Sequence, residues 1–498
     1  MPPRWDADQL RTEFVRALSD MYRTEVPLYG QLVDIVRTVD NAVLAARGQT
    51  PDNLPTRHQL ERHGAIRLGT EHEMRTTSRL FAVMGMYPVG YYDLGMAGFP
   101  LHGTAFRPTS ESSLRKNPFR VFTTVLRPDL IPSPAVRQTA TSLLASRALF
   151  TPRLCALISQ AEDPATRRHL TADDAAALIA DALAVFRWHS RATVSLDTYL
   201  ALRAAHPIVA DIVCFPSAHI NHLTPRTLDI DAVQAAMIAQ GLPAKARIEG
   251  PPRGRRCEIL LRQTSFTALE ERVAFADGGS GSGSGSGSDG AAGPPPSGHA
   301  GVSGTHTARF GEVEQRGAAV TGKGRGLYDR LLAEAVAAHG EAGGELDEVL
   351  AETFRREYPD DWTELRSRGL VYFRYRVAPD GAAGKLDAIL RDVRASQSPV
   401  RLEQLLQSGV VECEPITYED FLPFSAAGIF ASNLGGGAAD EGAATKLQET
   451  EQSNSRAELE GLLGCAIPSE IDLYEELQAA SVRECEEALG LKEILQSA

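Results

Sequence analysis

Apolar residues recur at three- and four-residue steps from Asp6 to about Ala46, through Leu10, Phe14, Val15, Leu18, Met21 and Tyr22, and again through Leu32, Val36 and Val43. That period predicts an amphipathic helical cover at the start of the chain. The pattern then changes. Residues 61–70 read as a short extended piece ended by Gly69, and Thr70 with Glu73 has the spacing of a capping box that opens a helix to about Met84. Residues 87–93 and 119–126 are aromatic and β-branched, and so predict strands. From Ser133 to about His206, alanine and leucine at helical spacing predict a helical insertion.

The run Ile208-Val209-Ala210-Asp211-Ile212-Val213 is rich in β-branched side chains and Pro225 stops pairing soon after, so residues 208–224 are read as extended chain. His219 and His222 would then point to opposite faces, and only one could serve a given site. A helix over 230–240 follows, then strands over 246–249, 258–266 and 305–317. The two halves suggest a duplicated βαβββ arrangement without a clear internal repeat. Beyond it come a helix over 327–338, a strand over 370–377, a helix near 385–394 and an extended stretch over 409–420. The acidic end, with Glu475, Glu476, Glu484, Glu486 and Glu487, reads as a solvated helical cap.

These patterns divide the chain into an N-terminal cover (1–60), a core (61–276 and 305–434) with its helical insertion (133–206), and a tail (435–498). Between the core halves, residues 277–304 are rich in Gly, Ser and Pro, with 278–288 almost pure Gly-Ser, a composition that also resembles an engineered linker. This stretch carries too little apolar surface to order itself, and the slow growth of loop-closure entropy makes it tolerable between two strands.

Composition narrows the function. At 498 residues the chain can bury a substantial core, and its net charge of -13 argues against sequence-independent nucleic-acid binding. No run of about 18 apolar residues offers a membrane span, no signal-peptide core opens the chain, and the six cysteines are scattered, so a cytoplasmic protein with free thiols is expected. A phosphate loop and a Gly-x-Ser-x-Gly elbow are both absent.

Polar side chains do stand where an apolar sheet has no use for them: His63 with Arg67, His219 or His222, Glu312 or Glu314, and the Phe424-Ser425 turn. Two imidazoles and one carboxylate from separate strands form the set that holds non-haem Fe(II) with positions left open, and zinc or manganese could take the same ligands. On a strand His63 and Arg67 share a face with α-carbons about 13 Å apart. That suits a short molecule with a chelating head and a carboxylate tail gripped by Arg67. Glu312 and Glu314 also share a face, so spacing does not choose between them. His102 and His306 read as structural, and Ser425 as a hydrogen-bond donor rather than a nucleophile.

The strings Glu61-Arg62-His63-Gly64-Ala65-Ile66-Arg67, Met84-Gly85-Met86-Tyr87-Pro88-Val89, His219-Ile220-Asn221-His222-Leu223-Thr224-Pro225-Arg226, Phe310-Gly311-Glu312-Val313-Glu314-Gln315-Arg316-Gly317 and Ile416-Thr417-Tyr418-Glu419-Asp420-Phe421-Leu422-Pro423 resemble the 2-oxoadipate dioxygenase/decarboxylase (2-hydroxyglutarate synthase) family, from near the N-terminus to about Leu434. The resemblance implies an α+β fold, with a vicinal-oxygen-chelate-like βαβββ metal core, helical insertions and helical N- and C-terminal covers. It implies Fe(II) held by His63, His222 and Glu314, with Arg67 on the substrate's distal carboxylate and Phe424 and Ser425 at the substrate. Phe424 departs from the smaller aliphatic residue expected there, which bears on pocket volume. The implied reaction takes 2-oxoadipate and O2 to D-2-hydroxyglutarate and CO2, a step of lysine breakdown. Two other readings share these residues: a non-oxidative metal-dependent lyase or isomerase of the same fold, and a non-catalytic dicarboxylate-binding protein.

Overall fold

The structure is a computed structural model that describes residues 5–163, 170–276, 302–342, 346–379, 386–387, 389–391, 399–422 and 449–495. Two helices open the chain, α1 (Ala7–Glu25) and α2 (Pro27–Ala46), separated where Pro27 starts a new first turn. Leu10, Phe14, Val15, Leu18 and Tyr22 form the buried stripe of α1, as their spacing predicts. Tyr22 does more than pack: its hydroxyl donates to the backbone carbonyls of Asn221 and Phe310, 2.8 and 2.6 Å away, and so ties the cover to the core sheet.

After the short helix α3 (Thr56–Leu60), the chain runs β1 (Arg62–Leu68), α4 (Glu71–Val83), β2 (Tyr87–Asp93), β3 (Leu101–Arg107) and β4 (Arg120–Leu126). The capping box of Thr70 and Glu73 is formed, which places the start of α4 where the sequence puts it. A second unit follows with β6 (His222–Pro225), a helix at Ile230–Ala239, β7 (Leu261–Ser265) and β10 (Phe310–Arg316). Its remaining strand is reduced to bridges from Ala244 to Phe266 and from Glu249 to Gln263. Together the two units make one seven-stranded sheet in the order β2-β3-β4-β1-β6-β10-β7, joined at its centre by the antiparallel pair β1 and β6. In each unit the first strand lies parallel to the last, β1 to β4 and β6 to β10. This is the paired βαβββ arrangement that the family resemblance implies, within an α+β chain.

The insertion contains the predicted helices Pro134–Ala145, Pro152–Glu162 and Ala172–Phe186, but also β5 (Arg191–Ser195), which pairs with β8 (Glu270–Ala276). The predicted strand over 305–317 is two strands, β9 (Val302–Thr307) and β10, interrupted at Ala308 and Arg309. One prediction fails outright. Residues 207–213 are a helix, Pro207–Val213. Pro207 occupies its first turn and the His206 side chain caps it by accepting from the Ile208 N–H, so helix-start chemistry overrides the β-branched composition.

A second hydrophobic cluster contains β11 (Phe373–Val377) and β12 (Val411–Pro415) together with the helix Glu470–Leu489. That helix buries Tyr474, Val482 and Cys485, so it is a packed element rather than only a solvated cap. No helix among the described residues is long and apolar enough to cross a membrane.

Candidate metal centre

His63 is the second residue of β1, and His222 opens β6. The antiparallel register pairs His63 with Thr224 and Ala65 with His222, so the two histidines lie diagonally across the central ladder on one face. Gly64 lets the strands meet this closely: a Cβ there would stand 2.7 Å from Ile220 Cδ1 and 2.9 Å from the His222 carbonyl oxygen. Parallel pairing of β10 with β6 brings Glu312 alongside. Its Oε1 lies 2.8 Å from His63 Nε2 and 4.0 Å from His222 Nε2, and it accepts from the Thr224 hydroxyl at 3.2 Å.

All three side chains are buried, and one potential donor atom from each lies within 4.8 Å of the others. Neither ring nitrogen of His222 has a hydrogen-bond partner. Burial, followed by the nearby positive charge of His63 and Arg67, holds His222 well below the usual imidazole range, so it is a neutral ring with a lone pair to offer. A neutral imidazole is the form that binds a metal.

Glu314, the carboxylate implied by the resemblance, sits differently. Its Oε2 is 2.9 Å from the other nitrogen of His63, Nδ1. Arg316 grips it at 2.7 and 2.8 Å, and Arg120 reaches it at 3.1 Å. Burial raises its proton affinity, but Arg316, His63 and Arg120 outweigh this and keep it ionised. For His63, burial disfavours the charged ring, whereas Glu314 and Glu312 together raise its pKa. The side chains that converge and could hold a metal are thus His63, His222 and Glu312, whereas Glu314 lies at the other nitrogen of His63. Outer carboxylates of this kind orient a ligating histidine.

Arg120 is the hub of the buried charges below the site. Its NH2 binds Glu61 at 2.8 Å and Glu419 at 2.6 Å. Next to it Arg107 pairs with Asp420 at 2.6 and 2.9 Å, and Tyr474 donates to the same carboxylate at 2.5 Å. Phe421 then packs edge-on against His63 with ring centroids 5.0 Å apart, which gives the centre an apolar wall.

Arg67 is buried on β1, with NH1 2.5 Å from Asp211 Oδ2. His219 does not join the first cluster. It lies in the loop before β6 and its Nε2 is 3.2 Å from Asp211 Oδ1, so the expected separation of His219 from His222 holds, although a loop rather than a strand produces it. His306 also joins Asp211, at 2.7 Å. His102 hydrogen-bonds Tyr91 at 3.0 Å, away from either cluster. Phe424 and Ser425 lie outside the described residues. Sequence reasoning missed Arg120 and Asp211; the only available signal was a charged residue inside an otherwise apolar run.

Comparison with known proteins agrees with this architecture. The family model described as 2-oxoadipate dioxygenase/decarboxylase matches residues 14–433. The chain is 46% identical over 493 residues to the 2-oxoadipate dioxygenase/decarboxylase of Pseudomonas putida, covering 97% of each chain. It is 45% identical over 485 residues to that of Escherichia coli, covering 96% of this chain and 98% of the other. Among solved structures, the hydroxyglutarate synthase of Pseudomonas putida in complex with 2-oxoadipate superposes with a TM-score of 0.80 at 43% identity, covering 99% of this chain and 100% of that one.

Proposed function

We infer the reaction from one premise: the chain belongs to the 2-oxoadipate dioxygenase/decarboxylase family and is an oxidoreductase. We propose that it converts 2-oxoadipate and O2 to D-2-hydroxyglutarate and CO2, with Fe(II) as its metal and lysine breakdown as its setting. The equation balances without a second organic substrate, because one atom of O2 enters the new carboxylate and the other the hydroxyl group. No external 2-oxoglutarate is needed.

The observation that carries the metal assignment is the fully buried His222, with both nitrogens unpartnered, facing His63 and Glu312. An unpaired polar group at such depth is costly unless something occupies it. His63, His222 and Glu312 would hold the ion, and two imidazoles with one carboxylate match non-haem Fe(II). Fe(II) bound by these residues would supply open coordination positions for chelation by the 2-oxo acid head and for O2.

The protein's own residues do the remaining work. Glu314 holds the His63 ring in place, itself fixed by Arg316 and Arg120. Arg67 receives the distal carboxylate and limits the tail's motion, so that the carbon beside the new carboxylate is the one presented for hydroxylation. Phe421 and Phe122, with ring centroids 5.3 Å apart, help exclude water. Phe424 and Ser425 complete the substrate contacts in this proposal.

The test is oxygen uptake by metal-free protein given 2-oxoadipate, with and without Fe(II). Uptake that requires both, with 2-hydroxyglutarate as product, supports the reading. Turnover without oxygen would favour a lyase instead.

A further inference from the structure

The second buried cluster, Asp211 with His219 and His306, has no part in the proposed metal centre. Asp211 is 2% exposed and projects from the helix Pro207–Val213. Its two oxygens are used differently. Oδ2 accepts from Arg67 NH1 at 2.5 Å, whereas Oδ1 faces His306 Nε2 at 2.7 Å and His219 Nε2 at 3.2 Å. When His306 donates from Nε2, its Nδ1 is an acceptor, and the Tyr199 hydroxyl stands 2.9 Å from it. Trp188 packs edge-on against His219 at 4.7 Å between centroids and lies nearly parallel to His306 at 6.0 Å. A cation in this cluster would meet the guanidinium of Arg67, so the arrangement suits an anchored anion better than a second metal site.

We propose that Asp211, held by His306, is the positioning residue that fixes where Arg67 presents its guanidinium, and so selects the length of 2-oxo diacid accepted. This rests on the reading of Arg67 given above. β1 sets the span from His63 to the Arg67 backbone, and the carboxylate on the neighbouring helix sets the direction of the side chain. Misplacing a tail contact by about 1 Å can cost on the order of 100-fold in rate. A six-carbon diacid therefore depends on this anchor more than one that already fits poorly.

The experiment compares kcat and KM for 2-oxoadipate and 2-oxoglutarate in the Fe(II)-loaded full-length protein and in Asp211→Asn, His306→Leu, His306→Gln and Arg67→Ala, with folding checked by thermal melting. Asp211→Asn and His306→Leu are expected to lower the kcat/KM ratio of 2-oxoadipate over 2-oxoglutarate by roughly tenfold or more. His306→Gln, whose amide can still donate to Asp211, should largely keep it. A merely structural role lowers both substrates alike, and an unchanged ratio in folded Asp211→Asn and His306→Leu overturns the proposal. If Arg67→Ala leaves the ratio and KM unchanged, the reading of Arg67 fails and this inference with it. If Arg67→Ala lowers the ratio and Asp211→Asn does not, only the anchor is wrong.

Discussion

His63 and His222 stand on adjacent antiparallel strands with ring centroids 5.4 Å apart and planes nearly perpendicular at 88°. The central ladder, rather than either strand alone, brings these two nitrogen donors together. Each half of the chain contributes one, so the two imidazoles meet only when both units pair.

Replacing His222 by alanine removes a donor that makes no hydrogen bond elsewhere. The expected outcome is a folded protein that binds Fe(II) more than about 100-fold more weakly and has no measurable turnover. Metal content after dialysis, alongside a thermal melt, checks both parts.

Glu312 and Glu314 should separate in the same assay. Glu312→Gln removes a proposed ligand and should abolish metal retention. Glu314→Gln leaves the donor face intact and should weaken affinity by about 10- to 100-fold, the range for partners that orient ligands. If Glu314→Gln alone strips the metal, the carboxylate implied by the family resemblance is the ligand after all.

Arg120→Met leaves Glu61, Glu314 and Glu419 short of a buried counter-charge. Breaking a buried network from one side typically costs about 3–5 kcal/mol. Urea unfolding at neutral pH should show a loss of that order, whereas Arg16, in an exposed pair with Glu13, should change stability by less than about 1 kcal/mol when replaced by alanine.

His102 provides a pH test away from the metal centre. Burial, with help from Arg127, lowers its pKa to about 4, and Glu458, 3.5 Å away but exposed, is too well solvated to offset this. The unfolded chain binds the proton more tightly, so the contribution of His102 is fully present above its unfolded value of about 6.5 and is lost as pH falls toward 4. Its size is on the order of 3 kcal/mol at most. His102→Gln should flatten the decline in unfolding free energy between pH 6.5 and 4.

Much of this was legible in the sequence because its signals were local. The stripe of α1 and the Thr70–Glu73 cap needed only neighbours a few residues away. His63, Arg67 and the pair His219 and His222 could be singled out because polar groups in apolar strands invite explanation, whereas the choice of His222 came from the family resemblance. The roles of Glu312 and Glu314 could not be told apart, since two residues on one strand share a face and only the register of β10 against β6 decides which meets His222. Asp211 was hidden by its β-branched neighbours, and its partners lie 144 and 95 residues away at Arg67 and His306.

The most direct measurement is turnover of 2-oxoadipate under 18O2 by the Fe(II)-loaded protein, with mass analysis of the product. The account requires 2-hydroxyglutarate carrying two labelled atoms, one in the new carboxylate and one in the hydroxyl group. Unlabelled product, or equal turnover without oxygen, would contradict it.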